Sequence, residues 1–108
     1  MKKYTINYSN KAVDDLKAIY NFITLEKQEQ LNAIKIINAI KDAINSLNEL
    51  PFRNPKINSA RWSKTETRYM IIKNYMVFYI VRENTNNVYV VRIFSCKRNI
   101  SEIINKYV

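Results

Sequence analysis

Between positions 68 and 98 lie three runs of β-branched and aromatic residues, separated by Asn74 and by Asn84, Asn86 and Asn87. They read as an antiparallel meander that carries fixed cations, Arg68, Lys73, Arg92, Lys97 and Arg98, along its length and at its exit. Cations spaced in this way can hold a polyanion, and Arg is suited to bidentate contact with phosphate or carboxylate. Each taken singly also reads as a solvated surface charge. Arg92 sits inside an apolar strand and reads equally as half of a structural ion pair, with Glu66 or Glu83 as its partner. Trp62 lies outside any periodic element, where it either anchors its loop or contacts a partner.

Most other chemistries are excluded by composition. The chain has no His, no Gly and one Cys. Cys96 alone forms neither an intramolecular disulfide nor a thiolate metal cage, and without His the usual zinc sites and the Ser-His and Cys-His pairs are missing. Without Gly there is no dinucleotide or phosphate-loop fingerprint. No metal and no cofactor are expected.

Charge is divided unevenly. Residues 1–52 hold 7 Lys and no Arg against 6 acids, a balance of +1, whereas residues 53–108 hold 11 Lys plus Arg against 3 acids, a balance of +8. All 6 Arg lie in the second part. Such a field draws in polyanions, so nucleic acid, a nucleoprotein surface or an acidic protein segment is the natural partner. The plain alternative is a Lys-heavy composition without functional meaning.

The elements that must position these cations follow from periodicity. With 108 residues, 47% of them hydrophobic, the chain is expected to be one domain. It begins without the apolar stretch of a signal peptide and holds no apolar run near the ~18 residues of a membrane span, which makes a cytoplasmic location the expectation and excludes a membrane partner. Residues 3–8 alternate as a strand with Tyr4, Ile6 and Tyr8 on one face. Ser9 or Asn10 can cap a helix over about residues 11–25, with Val13, Leu16, Tyr20 and Ile23 on one stripe. A second helix comes after the polar stretch 26–29, its face formed by Ala33, Ile36, Ile37, Ile40, Ile44 and Leu47 up to Pro51. Residues 52–66 read as irregular. Lacking Gly, the tight turns call on Asn for left-handed backbone, at Asn74 and at Asn84, Asn86 and Asn87. Ile100, Ile103, Ile104 and Tyr107 have the spacing of a short closing helix. The fold class is α+β: a strand, a helical hairpin packed on one face of the sheet, a three-stranded antiparallel meander and a short C-terminal helix.

In this order and spacing the chain resembles the RelE/ParE superfamily of toxins from bacterial type II toxin-antitoxin modules. The resemblance rests on Ala12 with Asp15-Leu16 and residues 19–23, on the stretch 47–51, on Arg68, on residues 74–79, and on residues 90–93 followed by Lys97-Arg98. It implies a growth-inhibiting toxin, neutralised by a cognate acidic antitoxin. The superfamily contains two activities. Its ribonucleases cut messenger RNA on the ribosome without metal, and such an enzyme would draw on Arg68, Lys73, Lys97 and Arg98 to hold the phosphate and on a Lys or Tyr107 to move protons. Its other branch poisons DNA gyrase, with Arg68, Lys73, Arg92, Lys97, Arg98 and Trp62 as target contacts. The ribonucleases carry an Arg where this chain has Met76, and their C-terminal Tyr falls at Ile104. An apolar residue at Met76 and the longer hairpin resemble the gyrase-poisoning branch more closely, although Ser95-Cys96 replaces that branch's His-Gly pair and Asn99 its Asp. A basic RNA-binding module without toxicity is the reading from outside the family.

Overall fold

The computed structural model describes residues 2–58 and 64–96. Strand β1, Thr5–Tyr8, turns Tyr4, Ile6 and Tyr8 into the main core, as the alternation predicts. Of the two candidate caps, Ser9 is the one used: its hydroxyl accepts the Ala12 N–H at 3.0 Å and opens helix α1, Asn10–Asn21.

The helix expected through residue 25 changes pitch after Asn21. Phe22–Glu26 forms a π-helical turn, in which the Thr24 hydroxyl donates to the Tyr20 carbonyl. Ile23 stays in the core, whereas Phe22 and Leu25, on the side opposite the Val13, Leu16, Tyr20 and Ile23 stripe, are exposed. Gln28 takes a left-handed backbone, φ 54°, and reverses the chain into helix α2, Gln30–Asn45. The expected face is the buried one: Ala33, Ile40, Ile44 and Leu47 are fully enclosed, and Ile36 and Ile37 pack against them. Past the helix, Leu50 is also left-handed, and Arg53 donates to the carbonyls of Ser46, Glu49 and Leu50, which caps the helix exit.

Strands β2, Arg68–Ile72, β3, Tyr75–Arg82, and β4, Asn87–Ser95, form the meander, and the four-stranded order is β1-β4-β3-β2 with β1 parallel to β4. Both turns differ from expectation. Of Asn84, Asn86 and Asn87 only Asn86 adopts the left-handed backbone, φ 56°, and in the tight β2–β3 turn it is Lys73, φ 57°, and not Asn74. Ile72 pairs with Tyr75, so only two residues span that turn, and its first central position takes the positive φ whatever residue occupies it.

Residues 76–79 of β3 are buried on both faces of the sheet. Toward the helices, Tyr75, Val77 and Tyr79 of β3 join Val88, Val90 and Ile93 of β4 in the main core. On the opposite side Met76 and Phe78 meet Phe94 and Ile57, with the Phe78 and Phe94 rings edge to face at 5.5 Å. Ile57 comes from the segment read as irregular. Its N–H donates to Thr67 at 2.8 Å, the Tyr69 N–H donates to Pro55 at 3.1 Å, and Lys56 makes an antiparallel bridge to Arg68. That segment is therefore pinned along β2. The closing helix expected near the C-terminus falls outside the described residues.

Candidate functional site

β1 pairs with β4 only from Asn87 to Val90. Beyond that point the start of α1 takes over as the neighbour of β4: the Ser9 N–H donates to Val90, the Ser9 hydroxyl donates to Val91 at 2.7 Å, and the Asp15 carboxylate accepts the Ile93 N–H at 2.9 Å. The same carboxylate receives Arg92 in a fork, Nε at 2.8 Å and Nη2 at 3.0 Å. The expected ion pair of Arg92 is real, but its partner is Asp15 and not Glu66 or Glu83. The reason is topological, because helix α1 lies against β4 whereas Glu66 bonds Lys56 beyond the far edge of the sheet. The side chains of Arg92 and Asp15 are only 17% and 15% exposed, and the guanidinium also lies 4.7 Å from the Phe94 ring.

Arg68 opens β2 and is tied down as well. One guanidinium nitrogen donates to the carbonyls of Phe52 at 3.1 Å and Asn54 at 2.6 Å, and the group stacks 5.1 Å from the Phe52 ring. The arrangement holds the 52–54 segment against the sheet beside Tyr79, whose hydroxyl donates to the Pro51 carbonyl at 2.7 Å.

Lys73 lies exposed at the other end of β2, five positions on from Arg68, or about 16 Å at strand rise. The two cations therefore do not converge on one phosphate. The end of β4 adjoins Lys73 instead, since the Cys96 N–H donates to the Asn74 carbonyl at 2.7 Å. Lys97 and Arg98 come directly after Cys96 in sequence; they, Trp62 and Tyr107 lie outside the described residues. Burial pushes the Cys96 thiol and the Tyr8, Tyr75 and Tyr79 hydroxyls above their ordinary pKa values, so none of these four is primed to give up its proton near neutral pH.

A second feature is not legible in the sequence pattern. Tyr8, Val13, Leu16, Tyr20 and Ile37 line an open groove of about 700 Å³ along the helical hairpin, with Lys17 and Lys41 at its edges. Val13, Leu16 and Tyr20 have the spacing of a core stripe, and that spacing is the same whether a stripe is sealed or left open. The available signal is the pair of lysines, Lys17 and Lys41, one on each helix among the groove's lining residues.

Comparison with known proteins agrees with this architecture. The family model of the ParE toxin of the parDE type II toxin-antitoxin system matches residues 6–100. Among solved structures, the chromosomal ParDE toxin-antitoxin system from P. aeruginosa superposes with a TM-score of 0.67 at 16% identity, over 88% of this chain and 98% of that one. The RelBE2 toxin-antitoxin complex from Mycobacterium tuberculosis gives 0.66 at 18%, over 88% and 93%. A mutant E. coli RelE toxin in the free state gives 0.61 at 10%, over 95% and 90%. No curated protein sequence matches. The structural likenesses, at these identities, are likenesses of fold, and the family model spans the helical hairpin, the Asp15–Arg92 clamp and the whole meander. The chain thus belongs to the ParE family within the RelE/ParE superfamily and is a toxin of a type II toxin-antitoxin system.

Proposed function

We propose that this toxin arrests growth by poisoning DNA gyrase without hydrolysing nucleic acid. The observation that carries the reading is the burial of Met76, 3% exposed, in the small core with Phe78, Phe94 and Ile57. The ribonucleases that the chain resembles have an Arg at this position. Here the same stretch of sheet is apolar and covered, which leaves no room for a phosphate or for charge to develop beside β3. Arg68, at the start of the edge strand β2, donates its hydrogen bonds to two backbone carbonyls. General acid–base groups are each typically worth about 10²–10⁴ in rate, and the shifted hydroxyls and thiol among the described residues are held protonated. Lys73, beside the end of β4, and Lys97 and Arg98 are the proposed target contacts.

The antitoxin is proposed to dock an acidic, partly apolar segment in the hairpin groove. Lys17 and Lys41 supply charge complementarity there, and Val13, Leu16, Tyr20 and Ile37 supply the apolar floor.

Purified protein should inhibit gyrase supercoiling and leave ribosome-bound message intact. Cleavage of message at the ribosome, lost in Tyr107→Phe, would overturn the gyrase reading. Lys97→Ala with Arg98→Ala should abolish growth arrest while leaving the thermal midpoint in place; full toxicity in that variant would remove the pair from the site.

A further inference from the structure

Four large apolar side chains at and next to the tip of the helical hairpin are exposed. Phe22 is 52% exposed, Leu25 73% and Leu31 77%, and Ile34, in the first turns of α2, 42%. A shallow hollow of about 470 Å³ is lined by Leu25 together with Tyr20, Asn21, Thr24, Gln28 and Gln30. Phe22 and Leu25 lie on the side of the hairpin away from the stripe that holds Ile23 inside. Contiguous apolar patches of this kind mark contact sites on soluble domains.

The charge around the patch selects its occupant. Residues 20–34 contain Glu26, Lys27 and Glu29 as their only charged groups, a balance of −1 in a chain of net +9. A nucleic acid or an acidic protein segment gains nothing electrostatically here, in contrast to the lysine-edged groove farther down the hairpin. At the tip a chain so cationic meets its own copy across a patch of balance only −1, away from its basic half. An isologous contact requires one patch to carry both protrusion and recess. This tip has both, and its Lys27 has two acids of the same patch to face across a two-fold axis.

We infer that the hairpin tip is a self-association surface, through which two copies of the toxin pair tip to tip while their basic halves stay free; the tip hollow adjoins the antitoxin groove through Tyr20 and Asn21. The patch is small against the roughly 1,200–2,000 Å² of a standard stable interface, so the dimer is a weak one.

Sedimentation velocity tests this on the full chain, alone and as the toxin–antitoxin complex, from about 1 to 200 µM, the range expected of an interface below standard size. The mass of the chain alone should rise from 12.9 kDa toward twice that value, and the complex should double in the same range. Leu25→Glu with Leu31→Glu should weaken association at least tenfold. Gln28→Lys with Gln30→Lys leaves the knobs intact and makes the tip basic; it should weaken association at low salt, with recovery at high salt. Both variants should keep native circular dichroism and antitoxin binding. A native chain and complex that stay undimerised up to 200 µM would overturn the inference. Unchanged association in the Leu25→Glu, Leu31→Glu variant would do the same, and so would loss of antitoxin binding in that variant, which would assign the tip to the antitoxin.

Discussion

The two faces of β3 are both buried, but by different means. Tyr75, Val77 and Tyr79 face two helices whose apolar stripes are long and regular, whereas Met76 and Phe78 face a short segment that supplies one large apolar side chain, Ile57, and is held by a few backbone hydrogen bonds. A strand covered on both sides has no place for charge at its centre. The cations of this toxin are accordingly pushed to the margins: Arg68 to the 52–54 segment, Lys73 to a turn, and Arg92 to a carboxylate on α1. The contrast teaches that a small second core is enough to keep charge off that face of β3.

If the thinner face is a true core, truncating it should cost as much as truncating the thicker one. Phe78→Ala removes a fully buried ring and should lower unfolding free energy by about 3–5 kcal/mol, comparable with the roughly 2–5 kcal/mol expected of Ile44→Ala on the helix side. Urea denaturation of both variants makes the comparison. A loss near 1 kcal/mol for Phe78→Ala would mean that the second face is a loose cover.

The ion pair at the margin tests the other half of the contrast. Asp15→Ala removes the carboxylate that accepts two bonds from the Arg92 guanidinium and one from the Ile93 N–H in a mostly buried setting, and should cost about 3 kcal/mol. Asp15→Ala combined with Arg92→Met should recover part of that loss, because no charge is then left behind. A double variant as unstable as the single would show that the Ile93 hydrogen bond, and not the charge pair, carries the energy.

Tyr79 links the thicker face to the exit of α2. Tyr79→Phe removes one hydrogen bond and should cost about 1 kcal/mol. Burial raises the hydroxyls of Tyr8, Tyr75 and Tyr79 above the ordinary value of 10.0, so the unfolded chain loses these protons first as the solution turns alkaline. Stability should be fully present below about pH 10 and should fall as pH rises past it. Tyr79→Phe should flatten that alkaline decline, which thermal melts from pH 8 to pH 11 would read.

The smallest effect belongs to the turn. Lys73 holds a left-handed backbone at a cost that Gly avoids, and Lys73→Gly should stabilise the fold by about 0.5 kcal/mol once the greater chain entropy of Gly is offset. Destabilisation would mean that the Lys73 side chain makes a contact that stabilises the turn.

Much of this architecture is legible in the order of residues alone, because periodicity is a local property. Alternation in residues 3–8, the spacing from Ala33 to Leu47 and the three apolar runs after Arg68 each dictate an element, and their order with Lys97-Arg98 carries the resemblance to the toxin superfamily. The π turn after Asn21 has no such signal, since a change of pitch leaves composition untouched. At the β2–β3 turn residue preference selects Asn74 for the left-handed backbone, yet Lys73 takes it, because a two-residue turn imposes its geometry by position. Tertiary structure alone decided which distant residues meet. Asp15 reaches Arg92 because β1 stops at Tyr8 and leaves β4 open to α1, Ile57 seals Met76 because its segment bridges to β2, and the hairpin stripe stays partly open as a groove. Partners such as Asp15 and Arg92, 77 positions apart, are set by how elements pack, and a linear pattern carries no record of packing.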